Sequence, residues 1–112
     1  IALPFAYANE ELVTELSRME PFGQGNARPC FGQKNVGIRA ARVLGKNRNV
    51  VKLSLQDEAG TVREALAFTD GDAFLAEMEG SRSIAVLYYP EINEYMGRRN
   101  LQLVLKAWKF AR

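Results

Sequence analysis

The chain has no histidine and a single cysteine among its 112 residues. That absence excludes the usual zinc sites and both Ser-His and Cys-His nucleophile pairs. The lone Cys30 forbids an internal disulfide, which fits a reducing compartment and a cytoplasmic location. There is no run of about twenty apolar residues, so no membrane-spanning helix and no membrane partner are expected. The start, Ile1-Ala2-Leu3-Pro4, lacks an initiator Met, a charged leader and a long apolar core, and the chain reads as a piece of something larger. Carboxylates are the remaining source of chemistry. They fall in surface-like settings, Glu10-Glu11, Asp57-Glu58, Asp70/Asp72 and Glu77/Glu79, and read as solvated turns and helix faces. No catalytic and no metal-binding residue is therefore assigned.

A further lack is local. Residues 21–56 contain seven Lys or Arg (Arg28, Lys34, Arg39, Arg42, Lys46, Arg48 and Lys52) and no Asp or Glu. The net charge of +2 hides this one-sided distribution. A basic block inside a strand-rich domain is an electrostatic footprint for a polyanion. An apolar content of 47% is ordinary for a globular chain that buries one core.

Residues 9–19 read as a helix: Asn9 can cap it, Glu10 and Glu11 suit its first turn, and Leu12, Val13, Leu16 and Met19 form one stripe. Pro21-Phe22-Gly23-Gln24-Gly25-Asn26 stops it. From Asn35 the period changes to two. A first strand sets Val36, Ile38, Ala40 and Arg42 against Gly37, Arg39, Ala41 and Val43, and the turn Gly45-Lys46-Asn47-Arg48-Asn49 follows. Val51, Leu53 and Leu55 then alternate with Lys52, Ser54 and Gln56 in a second strand. After the turn Asp57-Glu58-Ala59-Gly60 a third strand covers 61–69, with Val62, Leu66 and Phe68 as its inward set. A helix covers 70–79 and ends at Gly80. A fourth strand runs from Ser83 through Tyr89 and on to Tyr95, with Pro90 at an edge or bulge. A fifth starts at Leu101.

Five short strands with a helix between the third and fourth match an all-β architecture, the five-stranded OB-fold barrel with accessory helices. Residues 1–34 read as a linker helix and Pro/Gly-rich connector, and 35–112 as the OB-fold domain. In such barrels ligands cross strands 2 and 3, flanked by the loops joining strands 1–2 and 4–5. Here both loops are basic, with Lys46 and Arg48 in one and Arg98 and Arg99 in the other. These four, with Arg42 and Lys52, are the candidate phosphate contacts. Tyr95 is the candidate stacking residue, and Ser54, Asn93 and Gln102 (with Gln56) are candidate hydrogen-bonding groups. Only one of Tyr88 and Tyr89 can be in the core. Trp108 is expected against the first helix or a further domain, and Cys30 with Phe31 in a small cluster of the linker.

Pro21-Phe22-Gly23-Gln24-Gly25-Asn26, followed by Pro29 and Phe31, resembles the C-terminal part of the RecJ family of single-strand-specific exonucleases. Glu20 precedes it, as in the family's Glu-Pro-Phe-Gly-x-Gly-Asn segment. Val43-Leu44-Gly45-Lys46 with Val51-Lys52-Leu53 resembles that family's first hairpin. The stretch from Ile92 through Asn93-Glu94-Tyr95-Met96-Gly97-Arg98-Arg99 to Leu103 resembles its last. Ala27-Arg28 departs from the Pro that often follows the Asn. The resemblance implies an OB module beside two catalytic domains that hold the metal-binding Asp and His motifs. Those motifs cannot lie in a chain without His, so the family's metal-dependent 5′-to-3′ degradation of single-stranded DNA is not expected of this polypeptide alone. The implied partners are single-stranded DNA, the nuclease core domains and a single-strand-binding protein. No cofactor is expected here, and manganese or magnesium is expected in the parent enzyme. Three other readings stand beside this one. One is a module docking an acidic peptide, such as the tail of a single-strand-binding protein. Another is an enzyme hidden in this chain whose cleavage of single-stranded DNA would depend on Asp57 and Glu58. The third is a spacer whose charge serves solubility.

Overall fold

Alternating burial runs through Val50–Gln56, where Val51, Leu53 and Leu55 point inward between Lys52, Ser54 and Gln56. In the computed structural model, which describes residues 2–18 and 30–112, the strand segments close on one another. The elements are α1 (Glu10–Ser17), β1 (Phe31–Leu44), β2 (Val50–Gln56), β3 (Val62–Ala67), α2 (Gly71–Met78), β4 (Ser83–Tyr95) and β5 (Arg98–Ala111). The barrel order is β1-β2-β3-β5-β4, with β3 and β5 the parallel pair. With α2 between β3 and β4, this is the OB-fold. The end of the expected first helix at Met19 and the 21–26 segment lie outside the described residues.

Each end of the barrel carries its own plug. At one end α2 is capped by Asp70, whose carboxylate accepts from the N–H groups of Asp72 and Ala73. Its Phe74 ring lies 5.5 Å from Trp108 and 5.2 Å from Phe110, both edge-on. Trp108 therefore packs under the second helix rather than the first. At the other end the N-terminal segment inserts Phe5, fully buried and edge-on to Tyr88 at 5.7 Å. The Tyr88 hydroxyl donates to the Leu3 carbonyl at 3.0 Å. Burial pushes that phenol up to about 12; the nearby Arg63 charge opposes the shift and Asp57 adds to it. Asn9 caps α1 by accepting from the Leu12 N–H, and Leu12 and Leu16 pack against the core.

Asp57 departs from the surface setting expected of it. It is 6% exposed, and its carboxylate accepts the Phe5 N–H at 3.1 Å and the Thr61 N–H at 2.9 Å. Those donors satisfy a buried charge that would otherwise be costly, and they tie the N-terminal plug to the β2–β3 turn. The tie joins residues 52 positions apart, beyond the reach of local pattern.

β1 and β5 extend past their expected bounds, β5 starting at Arg98 rather than Leu101, while β4 keeps its expected span. β1 begins at Phe31, which lies in the core against Tyr88 rather than in a linker cluster. β4 runs unbroken through Pro90, opposite Leu103. Its pairing with β1 ends at Tyr88, so Pro90 costs no ladder bond on that side. Burying each large side chain of this core contributes about 1.5–3 kcal/mol, against about 0–1 kcal/mol for a surface ion pair. The barrel interior, rather than surface charge pairing, holds the fold.

Candidate nucleic-acid interface

The outer face of β1, β2 and β3 is built by register. Ile38 pairs with Leu55 and Ala40 with Ser54, so β1 holds one extra residue, Arg39. This bulge switches the strand's parity. Beyond it Ala41 and Val43 pack on the core, while Ala40 and Arg42 are exposed, which moves Ala40 and Arg42 out of the expected inward set. Arg42 stands opposite Lys52, and Ala40 opposite Ser54. Arg42, Lys52, Ser54, Ala40 and Glu64 line one groove of about 410 Å³. The Lys52 ammonium is 3.9 Å from the Glu64 carboxylate, so one of the groove's two cations is partly offset.

β3 presents the opposite face from the one expected. Ala65 and Ala67 are fully buried, while Leu66 is half-buried and Phe68 is 63% exposed. The cause is one residue of turn length. The Asp57 N–H donates to the Thr61 carbonyl, so strand pairing resumes with Gln56 opposite Val62. Leu66 is then opposite Lys52 and shares its outward face. A turn of 57–60 alone would have paired Leu66 with Val51 and buried it, because a one-residue slip exchanges every side chain between faces. Phe68 thus adds an aromatic surface beside the basic groove, and the signal for it was the hairpin register rather than hydropathy.

The two basic loops differ. In the 45–49 loop, Asn49 accepts from the Thr69 N–H and Arg48 from the Gly71 N–H through their carbonyls. The Arg48 guanidinium holds the Asp72 carboxylate with Nη2–Oδ1 at 2.7 Å and Nε–Oδ1 at 3.1 Å. That hydrogen bond, then the opposite charge, raises the Arg48 pKa, and the same hydrogen bond lowers that of Asp72. Arg48 is therefore engaged with α2. Lys46 is exposed, with no ion-pair partner among the described residues.

At the other tip Met96 (φ 51°) and Gly97 (φ 78°) make a two-residue turn of the hairpin-compatible hand. Tyr95 faces Arg98 across it and is 70% exposed. Arg99 contacts Glu94 at 3.0 Å and Glu10 of α1 at 3.4 Å, while Arg98 has no ion-pair partner among the described residues. Asn93 stands opposite Asn100, and Gln102 donates to Glu91 at 2.7 Å.

The ten expected site residues thus form three groups. Arg42, Lys52 and Ser54 share the central groove, and Lys46 and Arg48 lie at one end. Asn93, Tyr95, Arg98 and Arg99 lie at the other, with Gln102 between. Val51 pairs with Ala67 beside Leu105, and Arg98 is seven residues back along β5. At about 3.3 Å per residue, roughly 23 Å of strand separates the two ends. The loops flank the face lengthwise and do not meet. A larger groove, of about 720 Å³, lies over β1, β4 and β5, lined by Leu87, Ala107 and Trp108, and contains none of the ten. Among the described residues no group of three or more His, Cys, Asp or Glu is placed to hold a metal ion, and no helix is long and apolar enough to cross a membrane.

The RecJ OB domain family matches residues 1–107. A curated relative, the single-stranded-DNA-specific exonuclease RecJ of Haemophilus influenzae, is 30% identical over 98 residues, 87% of this chain and 17% of that protein. The chain thus spans a minor part of the relative's length. The crystal structure of RecJ in complex with Mn2+ from Thermus thermophilus superposes with a TM-score of 0.69 at 22% identity, covering 96% of this chain and 15% of that one. The Mg2+ complex of RecJ from the same organism gives 0.61 at 21% identity, covering 96% and 16%. These structural likenesses establish the shared fold.

Proposed function

The chain belongs to the RecJ OB domain family, and from that premise we propose that it holds single-stranded DNA for a nuclease core carried elsewhere in the same protein. The observation that carries this reading is the outer face of β1–β3, where Arg42, Lys52 and Ser54 share one groove beside the exposed Phe68. Phosphates of an unpaired strand would lie along Arg42 and Lys52. Lys46 would extend that path at one end and Arg98 at the other, where Arg99 is held by Glu94 and Glu10. Phe68 and Tyr95 would stack on bases, an interaction that accepts any base and so yields little sequence preference. Ser54, Asn93 and Gln102 would add hydrogen bonds. Arg48 acts differently: bound to Asp72, it positions the 45–49 loop. The manganese or magnesium of the parent exonuclease finds no donor set among the described residues, and no metal step is assigned to this chain.

Titration of a fluorescent oligo-dT across a salt series tests the proposal. Each phosphate contact on a single strand contributes about 0.7 to the slope of log affinity against log salt. Contacts from Arg42, Lys46, Lys52 and Arg98 together predict a slope of about −3. Affinity that stays constant from low to high salt would reject the phosphate-contact model.

A further inference from the structure

The bulge in β1 leaves Arg39 outside the β1–β2 ladder. Bulges re-aim side chains and recur beside functional surfaces. Here Arg39 is exposed and lines a second groove, of about 230 Å³, between β1 and the start of β4. Arg82 lines the same groove. Neither arginine has an ion-pair partner among the described residues, and no carboxylate lines this groove. It shares Ala40 and Ala41 with the Arg42–Lys52 groove, so the two adjoin along β1. The first groove carries Glu64 against its two cations; the second carries two arginines with no acid. Uncompensated positive charge therefore rises as the surface is followed away from β3 and over β1.

Resting on the single-strand-binding reading, we infer that the strand does not end on the β1–β3 face. It crosses β1 at the bulge, and its phosphates are taken by Arg39 and Arg82 in the second groove. A guanidinium suits this role, because its planar fork of N–H donors matches phosphate oxygens. The small, exposed Ala40 leaves space for a sugar–phosphate chain to pass. A phosphodiester chain is favoured over a compact anion by the adjacency of the two grooves, since only an extended ligand would use both.

Length dependence tests this separately from the parent proposal. Native protein and the pair Arg39→Gln with Arg82→Gln are titrated with oligo-dT of about four and about sixteen nucleotides, the range that single OB-folds cover. Arg18→Gln on α1 controls for the loss of a positive charge away from both grooves. The native protein is expected to bind the long oligomer more tightly and with a steeper salt slope. The double variant should lose about 1.4 from the long-oligomer slope and keep native affinity for the short one, while the Arg18 variant matches the native protein on both. Both arginines are exposed, and an unchanged thermal melt confirms an intact fold. A double variant that keeps the native length dependence and slope would overturn the extended path while leaving the binding face standing. Failure of the native protein to bind either oligomer would overturn both.

Discussion

The 45–49 loop and the 95–100 tip have nearly the same ingredients, a glycine, asparagine and two cations each, yet the fold treats them in opposite ways. The first is tied down by three contacts: Thr69 to Asn49, Gly71 to Arg48, and the Arg48–Asp72 ion pair. The second stands on a two-stranded arm. β5 joins β3 only from Leu103 onward, and the ion pair of Arg99 with Glu10 tethers the arm to α1. Its apex is open, with Met96 84% exposed. Composition alone makes the loops equivalent, whereas tertiary partners make one a wall braced by α2 and the other a projecting arm held at its base by α1. In each pair one cation is engaged by acids and one, Lys46 or Arg98, has no ion-pair partner among the described residues.

The largest effect should come from breaking the braced wall. Gly71 sits where a Cβ would collide with Val43 and come within 3.0 Å of the Arg48 carbonyl, whereas a Cβ at Gly97 would meet nothing within 4 Å. Gly71→Val should cost about 1–3 kcal/mol by overpacking. Gly97→Ala should cost about 1 kcal/mol, from positive φ alone. Urea denaturation of both variants measures the difference, and equal losses would contradict the contrast between the loops.

Of comparable size, but on binding rather than stability, are the effects at the aromatic surfaces. Tyr95→Ala and Phe68→Ala should each weaken oligo-dT binding by about 1–3 kcal/mol if a base stacks there, without lowering the thermal midpoint, because both rings are exposed. If affinity holds in both variants, the strand does not stack on these rings. The smallest effects are electrostatic. Lys46→Ala and Arg98→Ala should each reduce the salt slope by about 0.7, and Arg48→Ala should leave it nearly unchanged. Asp72→Asn releases Arg48 and should steepen the slope. A native-like slope in the Asp72 variant would show that Arg48 stays withdrawn without its partner.

Much of this architecture was legible because strands with one buried face advertise it. β2 reads directly from Val51, Leu53 and Leu55, and Asn9 and Asp70 mark the starts of their helices. The rest depended on quantities that hydropathy does not carry. One residue in the 57–61 turn decided whether Phe68 was core or surface. One bulged residue in β1 decided where Arg42 and Arg39 point. Arg48 looked like a free cation because its partner lies 24 positions away on α2. Asp57 looked solvated because the segment that buries it is 52 positions distant. Charge placed the candidate loops, and register then determined what lies between them.

The most direct test of the central claim is a nitrogen–proton NMR titration of the native chain with short oligo-dT. Amides of Arg42, Lys46, Lys52, Ser54 and Phe68 should shift together, while those of Leu87, Ala107 and Lys109 on the β4–β5 side stay in place. Shifts confined to Leu87, Ala107 and Lys109, with the β1–β3 face unmoved, would contradict the account.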